Sequence, residues 1–148
     1  MYRQGLDQAE RILQGIDVGV APPGKLTLMQ GQKVRMTVGF NYRGTALTCT
    51  LRCSIGSRIL LVFNEHVWNE QAVSIPQSVD FVAYTAFADI LCGATDVGKG
   101  KIDPGSNYDI EAKIKEYSGQ TLVKIDNVID IIGTPEFTGF AIIDYSVA

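Results

Sequence analysis

The chain has 148 residues and a mass of 16.1 kDa, the size of a single domain. Hydrophobic residues make up 46% and charged residues 20%, which is enough apolar material for a packed core. Thirteen basic against sixteen acidic side chains give a net charge of −3, which disfavours binding driven mainly by nucleic-acid phosphates or an anionic membrane. The single histidine excludes His-rich metal sites.

Residues 1–24 are predicted to form a short helix followed by a linker arm. Apolar residues recur there at intervals of three and four: Leu6, Ala9, Leu13 and Ile16. This spacing is typical of an amphipathic helix, and Pro22 and Pro23 end it. So short a helix is marginal alone, so its apolar side is expected to dock on another surface. The sequence predicts no signal peptide and no transmembrane segment, and the localisation is left open.

Residues 25–133 are predicted to form an antiparallel β-sandwich domain. Apolar and polar residues alternate with the period of a half-buried strand, most clearly in residues 34–40, 47–55 and 108–115. The apolar run Ile59–Phe63 predicts a short buried strand, and Ser118–Gly119 predicts a tight turn before a final strand at 123–132. Seven or so short strands with frequent turn signals are typical of an all-β sandwich.

Residues 134–148 are predicted to form a strand-like tail outside this sandwich. One side of the tail is apolar at Phe137, Ala141, Ile143, Tyr145 and Val147, and the other side carries Phe140 and Ile142. The sandwich core is complete before the tail begins, so the tail is expected to bind a partner. The predicted interface residues are Leu6, Leu13, Phe137, Phe140, Ile142 and Tyr145.

Two stretches resemble strands of immunoglobulin-like modules of the CARDB and fibronectin type. Residues 31–44 form an alternating strand that closes on Asn41, Tyr42 and a Gly44 turn, and residues 108–114 look like the penultimate strand of such modules. The resemblance covers residues 25–132 and implies an immunoglobulin-like sandwich. Modules of this kind occur in prokaryotic surface proteins and phage virions, where they bind and space rather than catalyse. The Cys…Trp…Cys signature of antibody domains is missing.

Two loop motifs were weighed as ligand sites. Residues 93–100 match GxxxxGK, but Gly100 stands where a phosphate-binding loop needs Ser or Thr, and Pro104 prevents the helix that should follow. A flexible glycine-rich loop is therefore predicted. Asp96, Asp103, Asn107 and Asp109 offer oxygen ligands suited to calcium, although their spacing fits no EF-hand. We predict no cofactor and no metal, and the calcium alternative is left open.

No catalytic residues are predicted. His66, Trp68 and Glu70 would share one face of a strand, where they are interpreted as a contact patch rather than a catalytic unit. An odd count of cysteines, Cys49, Cys53 and Cys92, favours reduced thiols in the core, with one disulfide to Cys92 left open.

The leading hypothesis is a non-enzymatic structural protein that forms a homo-oligomer or joins a larger assembly such as a phage virion or fibre. No nucleic-acid or membrane partner is predicted. The alternative is a carbohydrate- or protein-binding adhesion module with Trp68, Tyr84 or Tyr117 as exposed anchors.

Overall fold

A computed structural model describes residues 24–93, 98–133, 135 and 137–148. In this part of the chain there are seven strands: β1 (Leu26–Met29), β2 (Lys33–Gly44), β3 (Leu47–Ile59), β4 (Val62–Ile75), β5 (Ser78–Leu91), β6 (Gly105–Ile114) and β7 (Val123–Ile132). A 3₁₀ turn, Lys115–Tyr117, and a one-turn helix, α1 (Ser118–Thr121), connect β6 to β7. The predicted N-terminal helix, with Leu6 and Leu13, lies outside the described residues.

The strands form two sheets of unequal width. The larger sheet has the order β1-β7-β6-β3-β4, with β1 parallel to β7 and the other neighbours antiparallel. The smaller sheet is the antiparallel ribbon β2-β5. Buried side chains of both sheets belong to one apolar cluster. The predicted all-β, sandwich-like architecture is therefore confirmed.

The core lies between the two sheets and follows the predicted alternation. Leu51, Cys53 and Ile55 project from β3 and are at most 1% exposed, and Ile90 of the ribbon is fully buried as well. Intervening residues of β3, such as Arg52, face the opposite side. Because strand side chains alternate, this pattern gives the larger sheet one apolar face and one polar face.

Three local predictions were wrong or incomplete. The run Ile59–Phe63 is not a buried strand, because Ile59 pairs with Val62 around the tip of the β3–β4 hairpin and the tip is exposed. Ser118–Gly119 is part of α1 rather than a tight turn. The parallel edge strand β1 was not predicted, since only one of its four residues, Leu28, is buried.

A β-bulge interrupts the pairing of β3 with β4. Ile55 pairs with Val67 and the next residue, Gly56, pairs with Glu65, so His66 is the extra residue. A bulge disturbs the strict alternation of side chains beyond it. The alternation of side chains along β4 therefore changes phase at His66.

Candidate functional site

Residues 137–148 follow the last strand without regular secondary structure and form the most exposed apolar segment of the described residues. All four interface residues predicted here are exposed: Phe137, Phe140, Ile142 and Tyr145. Ile143 and Val147 are 96% and 99% exposed. Soluble proteins rarely expose so much contiguous apolar surface unless it binds something.

The unequal widths of the two sheets leave part of the apolar face uncovered. Neighbouring strands lie ~4.8 Å apart, so the outer strands of a five-stranded sheet are ~19 Å apart and those of a ribbon only ~5 Å apart. On the uncovered side, Val123 is 58% exposed and Ile110 and Ile125 are only partly buried. The narrow ribbon therefore covers only part of the broad sheet.

A groove of about 610 Å³ lies between the sheets at this side. The distal half of β2 forms one wall with Val38, Phe40 and Tyr42, and β3, β6 and the β6–β7 connection complete it. Phe40 stacks on Tyr84 of β5 with ring centroids 5.8 Å apart. The lining is mainly apolar, so the groove suits hydrophobic side chains better than a charged ligand.

The β3–β4 hairpin tip is a second exposed apolar element. Leu60 and Leu61, the two loop residues, are 90% and 87% exposed. Leu60 has a φ of 59°, a left-handed conformation that two-residue hairpins usually fill with glycine. A large apolar residue in a strained, exposed position is consistent with a contact surface.

The polar face of the larger sheet is organised around Arg52. Its guanidinium bonds Glu65 at 2.6 Å through Nη2 and at 3.1 Å through Nε, and it bonds Glu70 at 2.8 Å through Nη1. The same guanidinium lies 3.9 Å from the centre of the Trp68 ring. Lys115 Nζ also bonds Glu70 at 2.9 Å. The charged groups of this face are thus largely satisfied by one another.

The pKa values of these carboxyl groups reflect their cationic partners. Burial raises the pKa of Glu65, but hydrogen bonds from Arg52 and Ser54 outweigh this effect and hold the pKa below its usual value. The pKa of Glu70 is lowered by the hydrogen bonds of Lys115 and then of Arg52. Both groups are therefore carboxylates near neutral pH, and neither has the raised pKa of a general acid.

The structure brings two of the three predicted patch residues together. Trp68 and Glu70 both contact Arg52. His66 instead lies with its Nε2 2.8 Å from Ser57 Oγ, and its ring packs edge-on against Tyr108. The bulge explains this difference, because it adds one residue between Glu65 and Val67 and changes the direction of the His66 side chain.

The predicted contact patch missed the arginine at its centre. Arg52 lies on the neighbouring strand, where it pairs directly with Glu70. A cross-strand pair of opposite charges can be predicted only once the register is known. The alternation in β3 was sufficient to place Arg52 on the outward face of that strand. It did not show that β4 would be the neighbouring strand.

The two loop motifs fall partly outside the described residues, which omit 94–97. Lys99 of the GxxxxGK stretch donates to Asn69 Oδ1 at 2.6 Å. The Asp109 carboxylate accepts a hydrogen bond from the Asn127 N–H, and Lys25 donates to Asn107 Oδ1. Among the residues that can be examined, no group of three or more His, Cys, Asp or Glu side chains is placed to hold a metal ion.

The three cysteines are free and buried. Burial raises the pKa of Cys53 and of Cys92 to about 11. The pKa of Cys49 is raised by burial and by the nearby Glu116 carboxylate. These thiols are inert in the folded state, because the thiolate is the reactive form.

The proposed adhesion anchors differ in accessibility. Tyr117 is 45% exposed at the rim of the groove, whereas Tyr84 is stacked against Phe40. The Arg52 guanidinium covers the Trp68 ring. Only Tyr117 among the three presents an open aromatic surface.

No model of a known protein family matches this chain. No curated protein matches it either. In the part of the chain that the structure describes, no helix is long and apolar enough to cross a membrane.

Proposed function

We propose that this protein is a non-enzymatic structural protein that assembles through its C-terminal tail, with copies of itself or within a larger particle such as a phage virion or fibre. The observation that carries the proposal is the exposed apolar segment at residues 137–148. At ~25 cal/mol per Å² of buried apolar surface, covering several such side chains would stabilise a complex by several kcal/mol. The exposed hairpin tip at Leu60 and Leu61 adds a second surface of the same kind.

The charged groups support this proposal over catalysis. Glu65 and Glu70 are held as carboxylates by Arg52 and Lys115. The only histidine bonds a serine hydroxyl, and the acidic neighbour Glu65 bonds Arg52 instead. A catalytic unit needs a base that a third group orients toward a nucleophile. No such arrangement is found among the residues that the structure describes.

We also propose that the sandwich is immunoglobulin-like. In that fold strands C, F and G share one sheet, and strands B and E share the other. The order found here supports the assignment, since β3, β6 and β7 are neighbours in one sheet while β2 and β5 form the other. The resemblance of residues 31–44 to an early strand then corresponds to β2.

Removal of residues 134–148 tests the assembly function. The truncated protein should remain folded, because the described residues of the tail contribute nothing to the core, and it should lose the ability to assemble. Circular dichroism reports folding, and light scattering with negative-stain microscopy reports assembly.

A matched control replaces Ile143 by Asp and leaves the tail at full length. This variant should also stay folded and assemble less than the wild type, because a charge would enter the apolar contact. A truncated protein that unfolds, or one that assembles as before, would contradict the proposal.

A further inference from the structure

We infer that the tail of one copy adds as a third strand to the free edge of β2 in a second copy and fills the groove there. This inference rests on the proposed assembly function and specifies its contact. Addition of a strand to a sheet edge combines main-chain hydrogen bonds with side-chain pockets. A neighbouring copy of this chain supplies such a strand, because its tail is apolar and lies exposed at the surface.

The backbone of β2 presents unpaired groups at this edge. In the described residues β2 pairs only with β5, and alternate residues of an antiparallel pair direct their N–H and C=O groups to the partner. Two hydrogen bonds show which residues direct their backbone groups to the partner strand. Cys92 N–H donates to the Gln32 carbonyl, so even-numbered residues of the two strands bond each other, whereas the Asp89 carbonyl accepts from the Asn69 side chain of β4. The odd-numbered residues of β2, such as Thr37 and Gly39, therefore direct their backbone groups to the free edge.

The other sheet edges are less suitable. β1 has only four residues. The edge of β4 is partly covered, since Val67 forms a bridge with Gly100 and Trp68 N–H donates to the Lys99 carbonyl. The edge of β5 is approached by Asn69 of β4. Among the described strands, only β2 combines a long edge without a strand partner and an apolar groove beside it.

The tail fits this position in length and in side-chain pattern. Residues 137–148 are as long as the twelve-residue strand β2. If the tail is extended, one face carries only apolar residues and Gly139, and these would enter the groove: Phe137, Ala141, Ile143, Tyr145 and Val147. The groove volume equals that of roughly twenty water molecules at ~30 Å³ each, which leaves room for several of these side chains.

The charges are also complementary. The outward face of β2 carries Lys33, Arg35 and Arg43, and the described tail residues contain no basic residue and one acidic residue, Asp144. Asp144 belongs to the tail face that would point away from the groove, toward the same side as these cations. Opposite charges on neighbouring strands favour the pairing, and like charges would oppose it.

The contact joins two copies because the tail lies away from the groove of its own chain. Phe140, Ile143 and Val147 are each at least 94% exposed. The hydrogen bond found at Tyr145 is local, from its own N–H to the adjacent Asp144 carboxylate. A groove and a matching strand on one molecule, not in contact with each other, are what exchange between copies requires.

Gly39→Pro tests the edge, with Gly39→Ala as its matched control. Proline removes the N–H of Gly39 and obstructs an added strand, yet this N–H is not used by β5. A Cβ at Gly39 meets only the Tyr84 carbonyl oxygen, at 3.9 Å, so Gly39→Ala should fold. Circular dichroism checks that Gly39→Pro, which also fixes φ, keeps the same fold. Gly39→Pro should lower the assembled fraction at least about tenfold, and Gly39→Ala should stay within about twofold of the wild type.

A cross-linking experiment in the full-length chain identifies the two strands that meet. Thr37→Cys in β2 and Ile142→Cys in the tail are placed in separate copies, which are mixed and treated with a short bismaleimide. A covalent dimer is expected, and the native cysteines should not react because they are buried. Gln71→Cys on the exposed part of the β4 edge replaces Thr37→Cys as the control and should give no dimer.

The outcomes separate this inference from the proposed function. If removal of the tail abolishes assembly but Gly39→Pro assembles normally or Gln71→Cys cross-links instead, the β2 contact is wrong and the assembly function stands. If residues 1–23 occupied the edge within one copy, Gly39→Pro would destabilise the monomer and leave assembly intact, which would also overturn the inference. A tail-less protein that still assembles would overturn both proposals.

Discussion

Arg52 shows how one side chain can order a whole polar face. Its guanidinium binds Glu65 and Glu70 and stacks on Trp68, so three side chains from β4 are fixed by one from β3. Hydrogen bonds between charged groups that are partly buried are worth more than isolated surface pairs. The charged groups of this face therefore stabilise one another through a single guanidinium.

Replacement of Glu65 by Gln should destabilise the protein by about 1 kcal/mol at pH 7, after a discount for partial exposure. The pKa of Glu65 is lowered in the folded state, so its contribution is present above the unfolded-state pKa of about 4.3 and is lost as the pH falls through the folded-state pKa. When the pH is lowered from neutral to below the folded-state pKa of Glu65, the free energy of unfolding should therefore fall less for the variant than for the wild type.

Urea unfolding at a series of pH values measures this difference. Asp144→Asn in the exposed tail is the control and should change stability little at any pH. Equal acid sensitivity of Glu65→Gln and the wild type would mean that Arg52 does not stabilise the ionised form.

At the tip of the β3–β4 hairpin, the backbone conformation does not suit the residues that adopt it. Its loop residue Leu60 adopts a positive φ, which costs a residue with a Cβ atom about 1–2 kcal/mol. The neighbouring Ile59, Leu61 and Val62 are exposed as well, so burial within the molecule does not offset this cost. No burial among the described residues therefore compensates for the conformation of the tip.

Leu60→Gly should raise the free energy of unfolding by about 1 kcal/mol, because glycine adopts this backbone conformation without the steric cost. Thermal or urea unfolding measures the change. Leu61→Gly is the matched control, since its φ is not positive, and should be neutral or destabilising. The interpretation of strain fails if Leu60→Gly is less stable than the wild type.

The strands that could be predicted from the sequence are those in which apolar and polar residues alternate and the apolar ones are the buried ones. β2, β3 and β6 each have one buried and one solvated face, so a period of two identifies them. The prediction of a buried strand at Ile59–Phe63 was wrong because an apolar run normally indicates burial, whereas this run lies at the exposed tip of a hairpin. The bulge at His66 and the four-residue strand β1 depend on partners that are distant in the sequence.

The candidate site was predicted only in part for the same reason. The tail residues were identified because their apolar pattern continues after the core is complete. The groove that we assign as their acceptor depends on which strands become neighbours, and no local pattern encodes that a sheet of five strands faces a ribbon of two.

At the scale of the whole molecule, the core and the groove should differ in chemical accessibility. Cys53 and Cys92 are fully buried, and burial raises the pKa of each to about 11. Cys49 is 3% exposed and lines the groove. As denaturant is added below the unfolding transition, we expect a thiol reagent at pH 8 to modify Cys49 first, through local opening at the groove, whereas the other two should react only on global unfolding.

Mass spectrometry of the labelled protein during a denaturant series measures this order. A tail-deleted protein mixed with a peptide of residues 137–148 should protect Cys49 and leave Cys53 and Cys92 unchanged. Simultaneous labelling of all three cysteines in native buffer would contradict the arrangement of core and groove described here.

The separation of the tail from the β2 edge constrains how many molecules can join. If each copy gives its tail to the next copy, one tail stays unused at one end of the complex and one β2 edge stays unused at the other end. Such a complex grows as a chain or closes into a ring. A mutual exchange satisfies both at once and stops at a pair. In the contact that we propose, the angle at which the polypeptide leaves β7 near Gly133 would select between a thread, a ring and a dimer. A short insertion there would then change the stoichiometry without altering either surface.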